Sequence, residues 1–206
     1  MRVEPLRVAV LLSGSGRTLE NLLKEIAAGE LPARIELVIS TRERRGAEIA
    51  RAAGIPTRVL TRRAFRDEAE FSRAVYAELE ARQVELVLLA GFLRRIEIRP
   101  AYHNRIMNIH PSLLPLFGGL GLYGERVHQA VLASGMKVSG CTVHLVDEHY
   151  DAGPIVVQTC VPVLEDDTPE TLGARVFAAE CRLYPEAVRL FAAGRLQIEG
   201  RRVRIV

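Results

Sequence analysis

Three polar residues in the second half of the chain have types and spacing that suit stabilisation of a negatively charged oxygen. Asn108 and His110 lie two positions apart, so in a strand their side chains project to the same face. An amide and an imidazole side by side can both donate hydrogen bonds to one developing oxyanion. Asp151 follows Asp147 and Glu148 closely, and such crowding of carboxylates can raise one pKa and create a general base. These residues are candidates for a catalytic site. The alternatives are that His110 is an ordinary loop residue and that Asp151 is present because aspartate favours turns.

A second cluster, Ser13-Gly14-Ser15-Gly16-Arg17-Thr18, lies between the first predicted strand and helix and suits an anionic ligand. Glycine lets the backbone approach a ligand closely, and a helix N-terminus offers free N–H groups and a positive dipole. The Rossmann dinucleotide fingerprint is not met because position 19 is leucine, and the Gly-Lys-Ser/Thr of a Walker A loop is absent. The interpretation is a phosphate-binding loop of no standard class, with a tight turn that requires glycine as the alternative.

Two further segments could complete a ligand site. The run 90–96 closes the fourth predicted strand with small residues, and Phe92 and Leu93 could line an apolar pocket there. Arg94 in the same run could meet a carboxylate, although a strand end with a solvated arginine pair explains it equally well. The glycine-rich run 118–124 suits a mobile lid.

The elements that must position these residues follow from the apolar periodicity. Over the first ninety residues, short apolar runs alternate with helical spacing, which is typical of a parallel sheet. The predicted fold class is α/β: a Rossmann-like, mostly parallel, twisted sheet with helices on both faces and antiparallel additions in the C-terminal half, ending in a hairpin that turns at Gly200. The predicted strands are 6–12, 35–40, 57–60, 85–90, 106–109, 138–147 and 154–162, and the predicted helices are 18–28, 46–53, 65–82 and 168–192.

The composition is that of a globular protein, which narrows the function classes. Of the 206 residues, 49% are apolar and 26% are charged, so disorder is not expected as the main state. No apolar run reaches the ~18 residues that span a bilayer, and the polar start is not expected to be a signal peptide. Three widely spaced cysteines indicate a reduced, cytoplasmic protein. The chain is predicted to form a single domain over 1–206.

The chain is basic, with a formal net charge of +3 and a pI of about 9.0. Its arginines are scattered among glutamates, and aromatic residues make up only 5% of the chain. The surplus of positive charge therefore predicts a solvated surface with a few anion sites rather than a nucleic-acid interface. A metal site built from His144, His149 and Asp151 is disfavoured, because their spacing matches no standard zinc pattern.

Three segments taken together resemble the folate-dependent formyltransferase family, and within it the phosphoribosylglycinamide formyltransferases of purine synthesis. They are Leu89-Ala-Gly-Phe-Leu-Arg94, Asn108-Ile-His-Pro-Ser-Leu-Leu-Pro115, and Ser139-Gly-Cys-Thr-Val-His144 running on to Asp151-Ala-Gly-Pro154. The resemblance covers the chain nearly end to end, as far as Glu180-Cys-Arg-Leu-Tyr-Pro185 and Ala193-Gly-Arg-Leu196.

The resemblance implies transfer of the formyl group of 10-formyltetrahydrofolate to the amine of glycinamide ribonucleotide, without a metal. Asn108 and a protonated His110 would stabilise the oxyanion of a tetrahedral intermediate. Asp151 would hold or raise the pKa of His110 and relay a proton, through water. The family also has a cis peptide bond before a proline in this region, for which Leu114–Pro115 is the candidate.

The resemblance also implies two binding regions, with residues 1–100 as the phosphate-binding half and 101–206 as the catalytic and folate-binding half. The ribonucleotide phosphate would bind to Gly14, Ser15, Gly16, Arg17 and Thr18, and its ribose hydroxyls to Glu180. The folate pocket would be formed by Leu93, Arg94, Ile96, Val143, His144, Val146, Asp147 and Asp151.

The chain departs from the family pattern in three places. Arg17-Thr18 stands where the family commonly has Ser-Asn, and Glu68 aligns with a basic phosphate partner, for which Arg66 is the substitute. The loop 118–128 is longer than in many members, and the histidine usually found there has no clear counterpart.

Relatives with the same core give the alternative functions. Methionyl-tRNA formyltransferase carries an additional C-terminal domain and formyltetrahydrofolate hydrolase an N-terminal regulatory domain. A length of 206 residues and a first strand at Leu6 lead us to expect neither. A non-catalytic nucleotide-binding module is the alternative from another class, but it gives no reason for Asn108, His110 and Asp151 to occur together. The expected partners are the two small-molecule substrates, with no nucleic acid or membrane, for a monomer or homodimer.

Overall fold

A computed structural model gives the fold of residues 4–206, the side chain of Arg62 apart. Contacts between Cα atoms divide the chain into two compact units, the first ending at Met107 and the second beginning at Asn108.

The first unit alternates strands and helices, as the periodicity predicts. Two short 3-10 turns, at Arg62–Ala64 and Pro100–Tyr102, interrupt the alternation. Its elements are β1 (Leu6–Leu12), α1 (Arg17–Ala27), β2 (Ala33–Ser40), α2 (Arg45–Ala52), β3 (Thr57–Val59), α3 (Glu68–Glu80) and β4 (Leu86–Leu89).

The strands of the first unit pair in the order β3-β2-β1-β4, and each of these pairs is parallel. β1 therefore has a neighbour on each side, and Val10 pairs with both Val38 and Leu88. This central position explains why β1 is apolar almost throughout rather than alternating: of its residues, only Arg7 is not fully buried.

One predicted helix of the first unit begins later than its apolar spacing suggests. The prediction of a helix from Phe65 is wrong by three residues, because Asp67 caps α3. The Asp67 side chain accepts a hydrogen bond from the Glu70 N–H at 2.7 Å, and Asp67 itself has extended backbone. Phe65 and the residues before it form the turn that leads into this cap.

The second unit combines a hairpin of long strands with two helices. β5 begins in the first unit, and its last three residues belong to the second. The elements are β5 (Ile106–His110), α4 (Glu125–Ala133), β6 (Val138–Leu145), β7 (Ile155–Pro162), α5 (Pro169–Ala192), β8 (Leu196–Glu199) and β9 (Arg202–Ile205).

Antiparallel pairing dominates the second unit. β6 pairs antiparallel with β7, with a shift of register between Val143 and His144, and β8 pairs antiparallel with β9. β9 also meets β7 in parallel at the pair Ile155 and Arg202. The predicted terminal hairpin is confirmed, and Gly200 at its turn has a φ of 60°, which glycine adopts without strain.

The helix α4 was not expected, because the glycine-rich sequence before it indicates a loop. Gly124, with a φ of 56°, ends that loop, and Val127 and Val131, four positions apart, form the buried face of the helix. His128 is buried beside them.

The predicted α/β, Rossmann-like class is confirmed, with parallel strands in the first half and antiparallel additions in the second. The single domain over 1–206 stays a prediction. Within residues 4–206, we find no helix that is both long and apolar enough to cross a membrane.

Candidate active site

Strand β5 carries Asn108 and His110 on one of its faces. The two residues alternate with Ile109, which is buried, and the strand ends at His110. His110 is only 4% exposed, while Asn108 is half-buried. Burial of an amide and an imidazole requires partners for them, and both have partners on the loops that follow.

Asp151 is presented by a tight loop between β6 and β7. Its φ of 53° lies in the left-handed region, which Asp tolerates better than most residues. Two residues later, Gly153 passes so close to the backbone that a Cβ there would overlap the carbonyl oxygen of Leu145. The Asp-Ala-Gly-Pro segment is therefore shaped by the close approach at Gly153, which fixes where the Asp151 carboxylate lies.

The structure brings the three candidate catalytic side chains together. Asp151 Oδ2 lies 3.5 Å from His110 Nδ1, and Asn108 Nδ2 donates to Asp151 Oδ1 at 3.4 Å. His144, expected in the folate pocket, lies in the same cluster, with its Nε2 3.0 Å from Asn108 Nδ2 and 3.6 Å from Asp151 Oδ1. The Gly119 N–H completes the set by donating to Asp151 Oδ2 at 2.9 Å.

Two backbone carbonyl groups, each beside one of the histidine rings, indicate which ring nitrogen carries a hydrogen. His110 Nε2 is 2.9 Å from the Phe117 carbonyl oxygen, so this nitrogen carries a hydrogen and donates it. Nδ1 of His110 is then the position at which a proton is gained or lost, and it faces Asp151. His144 Nδ1 likewise donates to the Leu145 carbonyl at 3.0 Å, and its Nε2 lies 3.0 Å from the nitrogen of the Asn108 amide.

The pKa of each of the two central groups is lowered, which favours a neutral His110 beside an ionised Asp151. Burial lowers the pKa of His110, and the charge of Asp151 and the Phe117 carbonyl offset only part of that effect. The expectation that Asp151 raises the pKa of His110 thus describes one cause, but the net shift is downward. Burial acts to raise the pKa of Asp151, yet His144, the charge of His110 and the Gly119 N–H together lower it.

A buried network that the sequence analysis missed holds the turn after His110. Thr142 Oγ1 donates to the Ser112 carbonyl at 2.7 Å and accepts from the Leu114 N–H at 3.0 Å. Gln158 Nε2 donates to Thr142 Oγ1 at 2.8 Å and to the Leu114 carbonyl at 3.0 Å. The Leu114–Pro115 bond in this turn is cis, as the resemblance implies. The turn leads to Phe117, so the network supports the carbonyl that His110 contacts.

The predicted phosphate loop leads into α1 in the first unit. Gly14, Ser15 and Arg17 are exposed there, whereas Gly16 is buried and has a φ of 79°. A Cβ on Gly16 would lie 2.6 Å from the Gly46 Cα, and the Gly46 N–H donates to the Gly14 carbonyl at 3.2 Å. Gly46 is thus a further requirement of the loop, and its only signal in the sequence is a glycine at the start of α2.

The residues predicted for the folate pocket differ in the exposure of their side chains. Leu93 is 48% exposed and Arg94 is exposed, so their side chains are accessible. Ile96 and Val143 are in the core, at 5% and 0% exposed. Val146 and Asp147 are half-buried, and Asp147 Oδ1 accepts from the His149 N–H at 2.8 Å.

Residues proposed around the ribonucleotide have protein partners. The Arg66 side chain lies 3.2 Å from Glu70 Oε2, and Glu68 lies 3.5 Å from Arg95. Glu180 is half-buried on α5. In the described part of the chain, 4–206, no group of three His, Cys, Asp or Glu residues is placed to hold a metal ion.

Comparison with known proteins shows which family the chain resembles throughout its length. The family model described as "Formyl transferase" matches residues 6–188. The Trifunctional purine biosynthetic protein adenosine-3 of Gallus gallus is 42% identical over 201 residues, covering 96% of this chain and 20% of that protein. The Phosphoribosylglycinamide formyltransferase of Haemophilus influenzae is 35% identical over 196 residues, covering 94% of this chain and 90% of that one.

Among solved structures, glycinamide ribonucleotide transformylase 1 from Symbiobacterium toebii superposes with a TM-score of 0.91 at 47% identity, covering 100% of this chain and 96% of that one. The chain spans about a fifth of the length of the trifunctional relatives it matches.

Proposed function

Because the chain belongs to the formyl transferase family, we propose that it transfers the formyl group of 10-formyltetrahydrofolate to the amine of glycinamide ribonucleotide, a step of purine biosynthesis. The observation that carries the proposal is the convergence of Asn108, His110 and Asp151, with two contacts of 3.4 and 3.5 Å to one carboxylate. A module that only binds nucleotides has no need of this arrangement.

The reaction begins when the amine nitrogen of the ribonucleotide attacks the formyl carbon and the carbonyl oxygen becomes an oxyanion. Asn108 and His110 donate hydrogen bonds to that oxygen. In the structure, their hydrogens go to His144, Asp151 and the Phe117 carbonyl. Each donor therefore exchanges a protein acceptor for the oxyanion as the intermediate forms.

The reaction ends when the bond between the formyl carbon and N10 of the folate breaks. The attacking amine must lose a proton and N10 must gain one, so a group between them has to carry it. Its lowered pKa keeps Asp151 ionised, so its carboxylate is free of a proton when the amine releases one, and His110 Nδ1 lies 3.5 Å away. His110 and Asp151 thus move one proton from the amine to N10, directly or through water, and tetrahydrofolate leaves neutral at that nitrogen.

The acceptor substrate is held by its phosphate and ribose. The exposed backbone of Gly14 and Ser15, followed by the first turn of α1, offers N–H groups and a positive helix end to the phosphate. Gly16, Arg17 and Thr18 belong to the same site, and Glu180 binds the ribose hydroxyls. Arg66, proposed as the additional phosphate partner, also pairs with Glu70 through its Nε at 3.2 Å.

In the first unit, the donor substrate contacts the exposed Leu93 and Arg94. The core positions Ile96 and Val143 contribute shape and backbone groups. In the second unit, the residues proposed for the folate are His144, Val146, Asp147 and Asp151, whose backbone groups read the donor and acceptor edge of the pteridine. No metal takes part, and the partners are these two small molecules rather than nucleic acid or membrane, for a cytoplasmic monomer or homodimer.

One assay decides between this function and its alternatives. The protein is mixed with glycinamide ribonucleotide and 10-formyl-5,8-dideazafolate, and loss of the formyl group is followed. Turnover that requires the ribonucleotide supports the proposal. Release of formate without the ribonucleotide indicates a hydrolase, and binding of the ribonucleotide without turnover indicates a nucleotide-binding module.

A pair of histidine variants tests whether the activity belongs to the described site. His110→Gln is expected to reduce turnover by about a hundredfold or more, the usual scale for loss of an oxyanion donor. His103 is an exposed histidine in the first unit, and His103→Gln is the matched control, with turnover unchanged.

A further inference from the structure

We propose that Ser13 is a positioning residue for the donor substrate: its hydroxyl fixes the backbone of the segment 91–96 to the end of β1. The role of this segment in folate binding rests on the proposed function. A set of hydrogen bonds among residues of the first unit supports the positioning role of Ser13.

Backbone pairing joins β1 to β4 and continues beyond both strands. The paired residues end at Leu11 and Leu89. The Ala90 N–H then donates to the Leu11 carbonyl at 2.8 Å, and the Ser13 N–H donates to the Gly91 carbonyl at 3.1 Å. These two bonds bring the chain that follows β4 alongside the start of the phosphate loop.

The next bond in this series is made by a side chain. The Leu93 N–H donates to Ser13 Oγ at 3.1 Å, across 80 positions of sequence. The Leu93 N–H thus bonds to a side-chain oxygen at a place where a continuing strand would supply a backbone carbonyl. The Gly14 carbonyl, one residue further on, accepts from the Gly46 N–H at 3.2 Å.

The hydroxyl is itself held in place. Thr41, which follows β2, contacts Ser13 Oγ through its own Oγ1 at 2.8 Å. Ser13 is 8% exposed and Thr41 is 5% exposed, so water competes little for either group. A buried hydroxyl with defined partners orients what it binds more firmly than an exposed one.

The consequence is local to the donor site. Leu93 is the residue whose backbone Ser13 holds, and Arg94 and Ile96 follow directly. The phosphate loop has separate support, because Gly14 and Gly16 both contact Gly46. Loss of the Ser13 hydroxyl should therefore weaken binding of the folate and leave binding of the ribonucleotide nearly unchanged.

The test uses Ser13→Ala with Ser40→Ala as its matched control. Ser40 is fully buried at the end of the neighbouring strand β2, but its Oγ donates within its own turn, to the Arg42 carbonyl at 2.6 Å. For Ser13→Ala we expect amide exchange at Leu93 to accelerate about tenfold. We also expect the KM for 10-formyl-5,8-dideazafolate to rise about tenfold, while the KM for glycinamide ribonucleotide changes by less than about twofold.

Two more variants sharpen the assignment. Ser13→Cys keeps a weak acceptor and should give an intermediate KM. Thr41→Val removes the neighbour of the hydroxyl but leaves the acceptor for Leu93, so its effect on the KM should be the smaller one.

The outcomes separate the proposed function of the protein from the positioning role of Ser13. Absence of formyl transfer by the unaltered protein defeats the proposed function, and the exchange of Leu93 still decides whether Ser13 positions it. Unchanged exchange at Leu93 in Ser13→Ala, or an equal rise in both KM values, overturns the role of Ser13.

Discussion

Asp151 Oδ2 lies 3.5 Å from His110 Nδ1, while the other ring nitrogen of His110 donates to the Phe117 carbonyl. The imidazole is thus held between a carbonyl that can only accept and a carboxylate whose pKa is lowered. A proton taken up by this histidine goes to the nitrogen that faces the carboxylate. This relationship makes the pair suited to moving one proton during formyl transfer.

Removal of the Asp151 charge should affect turnover rather than binding of the ribonucleotide. Asp151→Asn keeps the side-chain size and tolerates the left-handed backbone, but it cannot accept the proton. We expect kcat to fall by about a hundredfold or more, with the Kd for glycinamide ribonucleotide nearly normal, as measured by steady-state kinetics and calorimetry. Weakened binding with normal turnover would contradict the assigned role.

The close backbone approach at Gly153 should make that position intolerant of any side chain. In Gly153→Ala, the new Cβ would overlap the Leu145 carbonyl oxygen and displace the loop that carries Asp151. We expect a loss of about 3 kcal/mol in the free energy of unfolding, measured in urea, and at least a tenfold lower kcat at temperatures where the variant is folded.

Gly135→Ala is the control for that variant. Gly135 has a φ of 72°, and a Cβ there would have no atom of the described residues within 4 Å beyond its own chain neighbours. Alanine at this position therefore strains the backbone without touching the site. The variant should lose stability and keep its kcat. An equal loss of kcat in both variants would show that reduced stability alone explains the effect.

The network around Thr142 should support both folding and turnover. Thr142→Val leaves the Leu114 N–H and the Ser112 carbonyl without this partner in a buried place. Each such group costs about 1–3 kcal/mol, so we expect the free energy of unfolding to fall by at least about 2 kcal/mol. A lower kcat should accompany it, because the turn also carries Phe117.

Thr142→Ser separates the hydroxyl from the methyl group. It retains the three hydrogen bonds, so most of the stability and the kcat should return. If serine behaves like valine in both measurements, packing of the methyl group rather than the network supports the turn.

Acid should destabilise the protein in part through His128. Burial lowers the pKa of this residue from its ordinary 6.5, Glu125 opposes the shift and His110 adds to it, and Nδ1 has no hydrogen-bond partner among the described residues. At a pH below about 6.5, His128 therefore binds a proton in the unfolded chain but not in the folded chain. The contribution of His128 to the free energy of unfolding is thus present above this pH and is lost as the pH falls below it.

The measurement is the free energy of unfolding in urea at about pH 7.5 and about pH 5.5. The unaltered protein should lose stability between the two, and His128→Leu should lose less, with His110 responsible for part of the remainder. Exposed His149→Leu is the control. An identical pH dependence in all three proteins would refute the contribution of His128.

Much of the secondary structure was accessible from the sequence because it is encoded locally. The apolar run of β1, the Thr168-Pro169 start of α5 and the turn at Gly200 each lie within a few residues, and each is where the pattern predicts. The errors have local reasons too. The Asp67 cap delays α3, and the glycine-rich loop before Gly124 conceals the start of α4.

The candidate site was predicted in part. Asn108, His110 and Asp151 were identified by type, spacing and resemblance, and the structure brings them together. Thr142 and Gln158 were not identified, because a threonine and a glutamine in two strands carry no signal until those strands are paired.

The sequence by itself determined the order of the strands and of the helices other than α4, the family and the identity of the candidate residues, since periodicity and motifs are properties of neighbouring positions. Only the tertiary structure decided the direction of the His110 pKa shift, the approach of Gly46 to the phosphate loop and the bond from Leu93 to Ser13. Burial, electrostatic fields and hydrogen bonds between distant segments depend on which surfaces meet, and that is settled when the whole chain packs.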